Sequence, residues 1–199
     1  MRDWKWQQIS LSGPMFWTRL LPSEALALQQ LASSQRVLEI GGGYGYSACA
    51  MALAGAKHVV SVDPHEPHKD NDYARYGDTH DSMKDSLTVY GLQYRVEIVK
   101  ATSAEYIGNF SGEEKNGFGL ILIDGDTDRQ QVSGDIQGCV TMLKPGGRMV
   151  VTNYGDPDFG ATETVDWLFG VDGYRAAERH VYDGENNLVV LVGVQAPRK

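Results

Sequence analysis

The sequence is poor in cysteine, in basic residues and in long apolar runs, and each shortage excludes something. Only two cysteines occur in 199 residues, Cys49 and Cys139, far apart and without C-x-x-C spacing. That excludes a disulfide scaffold and a cysteine-rich zinc module. Both fall inside expected helices and read as small buried hydrophobes of a reducing, cytoplasmic setting. No apolar stretch approaches the ~20 residues of a membrane helix. The opening residues mix Arg2, Asp3, Lys5, Gln7 and Gln8 with aromatics, so no charged segment followed by an apolar one marks a secretory signal. Lys and Arg number 18 against 26 Asp and Glu, for a net charge of −8. Such a balance disfavours binding to phosphate backbones. No repeat period or low-complexity segment stands out.

What is present is an alternation of strand and helix signals, expected for a single domain over residues 1–199 with a parallel sheet covered on both faces. Short apolar runs at Val37–Ile40, His58–Asp63, Arg95–Val99 and Phe118–Asp124 predict four strands. Tyr46–Ala54 predicts an alanine-rich helix, with Gly55 where a helix-ending glycine belongs. Val132, Ile136, Val140 and Leu143 recur at helical spacing, and Lys144-Pro145-Gly146-Gly147 breaks that helix before a fifth strand at Arg148–Asn153. Ala161–Phe169 predicts a helix stopped by Gly170. Tyr174–Tyr182 and Leu188–Val194 flank Asp183-Gly184-Glu185-Asn186-Asn187 and predict an antiparallel hairpin. Two stretches break the alternation. Residues 1–33 form an arm carrying Trp4, Trp6, Phe16 and Trp17, then a helix near Ser23–Ser33. Residues 64–85 are rich in His, Asp and Tyr, and their length predicts a surface loop or lid.

The densest motif is Glu39-Ile40-Gly41-Gly42-Gly43-Tyr44-Gly45-Tyr46-Ser47, between a strand and a helix. Glycine is needed where the backbone takes positive φ or where a ligand presses against it. The spacing is E-x-G-x-G-x-G, not the G-x-G-x-x-G of dinucleotide binders, and no Lys-Ser/Thr follows as in a P-loop. Glu39 beside the loop suits a cationic ligand group and would repel a pyrophosphate. Asp63 ends the second strand, where an acid accepts hydrogen bonds from ribose hydroxyls. The plainer alternative is a tight turn with Asp63 as a helix cap.

These residues resemble a known family. Val37–Gly45 looks like motif I of class I S-adenosylmethionine-dependent methyltransferases, and Val59–Asp63 like their ribose-binding strand. Leu120–Asp126 looks like the family's strand-four motif, and Leu143–Val151 like its Leu-Lys-Pro-Gly-Gly turn and fifth strand. The resemblance spans roughly Val37 to Asn153 and implies a Rossmann-like doubly wound α/β sheet of order 3-2-1-4-5-7-6, mostly parallel with a C-terminal antiparallel hairpin strand. It implies S-adenosyl-L-methionine as cofactor. Gly41, Gly43 and Gly45 would approach it, with Tyr44 in the same loop. Glu39 would support its methionine end and Asp63 its ribose, with Pro64 and His65 just beyond. Thr102-Ser103-Ala104-Glu105 looks like the loop bordering adenine, with Ser103 as the contact; an ordinary strand-end cap is the other reading.

Ile123-Asp124-Gly125-Asp126 resembles small-molecule O-methyltransferases of the catechol type. Those often hold a divalent metal with a strand-four acid plus an Asp-Asn pair after strand five. Asp124 and Asn153 match, but Thr152 replaces the second acid. Magnesium binds mainly through carboxylates, so a metal is an open alternative rather than the expectation. Thr127, Asp128 and Arg129 offer no His or Lys base. Asp124, Asp126 and Asn153 are therefore the candidate catalytic residues, with Asp124 also near the cofactor. His65, His68 and His80 with Asp70, Asp72, Asp78 and Asp81 match no fixed metal spacing and read as lid residues. The N-terminal aromatics read as core or interface before substrate wall. No Asn/Asp-Pro-Pro-aromatic motif follows strand four, and no Pro-Cys occurs, which weighs against nucleobase methylation. The expected partners are a small-molecule acceptor, with neither nucleic acid nor membrane, and a second copy of the chain as a candidate homodimer. Two alternatives stand: an aminopropyltransferase, which Ile40-Gly41-Gly42-Gly43 also resembles, and a non-catalytic nucleoside-binding module.

Overall fold

The computed structural model describes residues 7–10, 15–18, 20–66, 79–110, 117–126, 128–182 and 188–197. Its centre is a seven-stranded sheet. The strands are β3 (Arg36–Ile40), β4 (His58–Asp63), β5 (Val96–Lys100), β6 (Phe118–Ile123), β7 (Leu143–Val151), β8 (Glu178–Tyr182) and β9 (Leu188–Val192). Their order is β5-β4-β3-β6-β7-β9-β8. The first five pair in parallel, and β9 runs antiparallel to both β7 and β8. Renumbered from the first sheet strand, this is the expected 3-2-1-4-5-7-6.

Alternation along the strands divides the interior in two. Val37, Leu120, Leu122 and Val150 turn to one face and pack with Leu28, Met51 and Met83. These belong to α1 (Pro22–Ala32), α2 (Tyr46–Leu53) and α3 (Thr79–Tyr90). Leu38, Ile121, Met149 and Val151 turn to the other face and pack with Ile136, Val165 and Leu168. These belong to α5 (Arg129–Cys139) and α6 (Ala161–Gly170); α4 (Ser103–Asn109) adds Tyr106 and Ile107 at the margin. All seven residues from Tyr46 to Ala52 are buried, so the alanines of α2 allow the helix to lie deep against the sheet. Cys49 and Cys139 are free and buried, as the composition requires.

Several boundaries differ from the sequence expectation. The Lys144–Gly147 stretch does not merely break the helix. α5 ends at Cys139, a 3-10 turn covers Val140–Met142, and β7 already begins at Leu143. The pairing of β7 with β6 shifts register between Phe118 and Leu120, which absorbs the Pro145-Gly146-Gly147 irregularity. Thr152 and Asn153 lie just beyond β7. The segment expected as Tyr174–Tyr182 becomes a strand only at Glu178, with Arg175 bridged to Gln195 before it. Residues 79–85 are the first turns of α3 rather than loop, and residues 67–78 lie outside the described residues. Helical periodicity is faint there because two of the four buried positions, Thr79 and Ser86, are polar beside Met83 and Leu87. The N-terminal arm carries an antiparallel pair, β1 (Gln7–Ser10) with β2 (Met15–Thr18). Trp4 and Trp6 lie outside the described residues. No helix among the described residues is long and apolar enough to cross a membrane.

Candidate functional site

The chain steps outward from β3 to β4 and β5, then crosses back to β6 and β7. The order therefore reverses between β3 and β6, and open α/β sheets bind ligands outside the carboxyl ends at such a point. The glycine loop leaves β3 there. Gly41 has φ +94°, and a Cβ on it would sit 2.3 Å from the Asp124 carbonyl oxygen. Gly41 is thus required by the close passage of the β6 end. Its N–H donates to the Val62 carbonyl at 2.9 Å, and the Asp124 N–H donates to the Ile40 carbonyl at 2.9 Å. Three strand ends are tied together across the single peptide group between Ile40 and Gly41. Gly45, with φ +85°, starts α2, and a Cβ there would strike Met83 Cγ of α3 at 2.6 Å. Gly41 and Gly43 keep part of their surface open, while Tyr44 is buried.

Asp63, at the end of β4, is 5% exposed. Its Oδ2 accepts the Gly43 N–H at 2.9 Å and its Oδ1 accepts the His65 N–H at 2.7 Å. The acid therefore fixes the loop. Each carboxylate oxygen keeps a second acceptor site, so this does not use up its capacity. Pro64 is exposed. His65 is buried at φ +51°, a left-handed conformation that a non-glycine residue adopts only under local constraint. The constraint includes Nδ1 beside Thr79 Oγ1 at 2.9 Å and the His80 ring at 5.1 Å. His68, Asp70, Asp72 and Asp78 lie outside the described residues.

Glu39 is placed differently from the expected direct support of a methionine end. It is 0% exposed, beneath the loop. Ser47 of α2 donates to Oε1, and Ser61 of β4 donates to Oε2 at 2.5 Å. Burial drives its pKa up to about 7, the two serine hydroxyls partly offset this, and Asp63 adds to the rise. Burial, reinforced by Glu39, also pushes the Cys49 thiol up to about 12, so that sulfur is inert at neutral pH. Neither serine was singled out in the sequence. A signal existed for Ser61, the one polar residue within Val59-Val60-Ser61-Val62 and the direct cross-strand partner of Glu39. Its hydroxyl also explains Gly42, where a Cβ would lie 2.2 Å from Ser61 Oγ.

At the adjacent ends of β6 and β7, Thr152 is 5% exposed and its hydroxyl lies 2.5 Å from Asp124 Oδ1. Asn153 donates from Nδ2 to Thr152 Oγ1 at 3.3 Å and holds φ +57°, a conformation that asparagine tolerates best among residues with a Cβ. The structure thus brings Asp124, Thr152 and Asn153 together. Asp126 is exposed, and its Oδ1 accepts the Asp128 N–H at 3.0 Å in the turn that starts α5. Ser103 does not lie on an open loop. Thr102 and Glu105 form a reciprocal cap, so Ser103 opens α4. Its hydroxyl accepts from Gln131 Nε2 of α5 at 2.9 Å. Gln131 also donates to Asp135 Oδ1 at 3.1 Å. Asp135 is buried, and burial raises its pKa. The sequence pattern gave no sign of this pair. Among the described residues no three His, Cys, Asp or Glu side chains are grouped to hold a metal ion.

The donor set around the open loop is acidic and serine-rich. It suits a nucleoside with a cationic substituent better than a pyrophosphate. The buried Asp63 with spare acceptor capacity at the switch point fits a ribose.

Comparison with known proteins identifies the fold and the family. The chain superposes on cofactor-bound Rv0187 from MTB with a TM-score of 0.65 at 20% identity, covering 87% of this chain and 81% of that one. It superposes on an O-methyltransferase from Bacillus cereus in complex with SAH with a TM-score of 0.63 at 18% identity, covering 87% and 82%. It also superposes on a ribosomal protein L11 methylase from Lactobacillus delbrueckii subsp. bulgaricus with a TM-score of 0.59 at 14% identity, covering 87% and 77%. At such identities these likenesses establish the fold and not the acceptor. No curated protein matches. The sequence profile of the methyltransferase domain matches residues 38–154, well over half of the chain and the whole span from the glycine loop to Tyr154. The chain belongs to the methyltransferase domain family and is an S-adenosylmethionine-dependent methyltransferase of Rossmann-like fold.

Proposed function

We propose that this methyltransferase acts on an oxygen of a small molecule and needs no divalent metal for it. The observation that carries the reading is the Thr152 hydroxyl against Asp124 at the ends of β6 and β7. Asp at position 152 would set two carboxylates side by side, an arrangement that calls for a cation between them. Threonine instead donates a hydrogen bond to Asp124 and holds one of its oxygens in a fixed direction. The Asp124 carboxylate is then the group that orients an acceptor hydroxyl and takes its proton. Asn153 supports Thr152 from the far side.

S-adenosylmethionine supplies a methyl group on a positively charged sulfur, so the leaving group is already activated. The protein's task is therefore placement and exclusion of water. Gly41 and Gly43 offer backbone that a ligand can approach, and Asp63 offers acceptors to the ribose. Glu39 acts through the loop, by gripping Ser47 and Ser61, and not on the ligand. The acidic net charge supports a small-molecule acceptor over nucleic acid. The O-methyltransferase among the structural relatives fits transfer to oxygen.

The test is release of S-adenosylhomocysteine against a panel of phenols, vicinal diols and hydroxy acids, with and without chelator. Turnover of one of these that survives chelation is expected. Turnover that chelator abolishes and magnesium restores would make Asp124, Asp126 and Asn153 metal ligands instead.

A further inference from the structure

The chain turns sharply just past Thr152, and three side chains not yet described hold that turn. Asn153 and Gly155 are both left-handed, at φ +57° and +92°, with Tyr154 between them. Such a conformation is costly at a residue with a Cβ and persists only where the surroundings over-determine it. The surroundings here are α6 and β8. Thr162 and Asp166, four residues apart, share one face of α6, and the turn is tied to both. The Gly155 N–H donates to Thr162 Oγ1 at 2.7 Å, and Tyr154 Oη donates to Asp166 Oδ1 at 3.0 Å. Arg179 of β8 completes a triangle, its Nη2 donating to Asp166 Oδ1 at 2.5 Å and to Tyr154 Oη. Its guanidinium carbon lies 5.0 Å from the centre of the Tyr154 ring.

The triangle is chemically closed. A phenol has one proton to give, and Asp166 takes it, while the phenol oxygen accepts from Arg179. Burial and the hydrogen bond to Asp166 raise the Tyr154 pKa against the opposing effect of Arg179, so the proton stays on the phenol at neutral pH. As an ion pair alone, Arg179 and Asp166 would matter little, because their side chains are 34% and 51% exposed. Their weight comes from the tyrosine they share. It directly follows Asn153, which supports the Thr152 hydroxyl that rests on Asp124. We infer that Tyr154, Asp166 and Arg179 are positioning residues for methyl transfer, which pin the turn after β7 and thereby hold Thr152 and Asn153 in place against Asp124. The inference rests on the acceptor end proposed above and deepens it.

The test joins steady-state kinetics, on an acceptor from the panel above, with amide hydrogen exchange followed by NMR. Tyr154→Phe removes both hydrogen bonds of the hydroxyl and keeps the ring beside the guanidinium. It should lower kcat about tenfold, with acceptor KM within about threefold and S-adenosylhomocysteine affinity within about twofold of wild type. The amides of Thr152 and Gly155, bonded to the Ile123 carbonyl and to Thr162, should exchange faster, while those of β3 stay unchanged. Asp166→Ala should behave like Tyr154→Phe. Asp166→Asn keeps an oxygen for the tyrosine proton and should recover most of the rate, whereas a mere ion pair would be lost equally in both Asp166 variants. Wild-type kcat and exchange in Tyr154→Phe, even with a lowered Tm, overturn the inference, as does an Asp166→Asn enzyme no faster than Asp166→Ala. If wild type binds S-adenosylhomocysteine but methylates no acceptor of the panel, the proposed function fails by itself. Exchange at Thr152 and Gly155 then decides the anchoring: faster in Tyr154→Phe supports it, and unchanged overturns it.

Discussion

Glu39 is the residue whose environment departs furthest from its intrinsic chemistry. Its folded pKa, about 7, lies above the ordinary glutamate value of 4.5. A group raised in this way contributes stability that is fully present below about pH 4.5 and is lost as pH rises through about 7. The difference corresponds to about 3 kcal/mol between those limits. Glu39→Gln should remove that dependence while keeping an amide that can pair with both serine hydroxyls. Denaturant unfolding at pH 5 and pH 8 should show wild type losing more stability than the variant. Equal losses in the two proteins would mean that Glu39 is charged throughout. Asp63 makes a second prediction at this scale. Asp63→Ala removes the acceptor of two backbone N–H groups and, on the proposed function, a ribose partner. It should weaken S-adenosylhomocysteine binding by about 1.5–3 kcal/mol and lower Tm together. An unchanged dissociation constant in a folded variant would mean that the ribose is held elsewhere.

Two glycines with the same backbone conformation, one just past β3 and one just past α2, separate strain from packing. Gly41 and Gly55 have φ of +94° and +93°. A Cβ on Gly55 meets only Ser33 Oγ at 3.9 Å, whereas one on Gly41 meets the Asp124 carbonyl at 2.3 Å. Gly55→Ala should cost about 1–2 kcal/mol from backbone strain alone. Gly41→Ala should cost clearly more, because β6 must move away from β3. Similar costs for the two would show that the β3 and β6 ends are loosely joined. The ends of β6 and β7 yield a further prediction: Thr152→Asp should create a chelator-sensitive enzyme by restoring a second carboxylate beside Asp124. Continued indifference of that variant to magnesium and chelator would remove Thr152 as the reason for metal independence. These strand ends also show what the sequence revealed. The apolar runs of β4 and β6 and the spacing Glu39, Gly41, Gly43, Gly45 were legible because burial on both faces and positive φ leave residue-level marks. Asp63 was legible from its place at a strand end. The partners of Glu39 were not, because Ser47 lies eight residues away and Ser61 a strand away. α3 was hidden by polar residues on its buried face, and the Gln131–Asp135 pair by a helix with little periodicity beyond Val132 and Ile136.

Across the whole molecule, two apolar layers hold one sheet rigid, and every candidate group lies at its carboxyl edge. The glycine loop and Asp63 sit beside the β3–β6 reversal, Ser103 on the β5 side and Asp124 with Thr152 on the β7 side. A cofactor bound at the reversal would have its base toward β5 and its methyl toward Asp124. On the proposed function, that placement separates recognition from chemistry. Methyltransferase membership decides for methyl transfer over the aminopropyl alternative that the glycine loop also admitted. On the proposed function, this edge binds S-adenosylmethionine through the loop and Asp63 without help from a metal. Titration calorimetry of the wild-type chain with S-adenosylmethionine and S-adenosylhomocysteine, in chelator, tests it most directly. Saturable binding of both in the micromolar range is expected. No heat and no thermal shift with either ligand at millimolar concentration would contradict it.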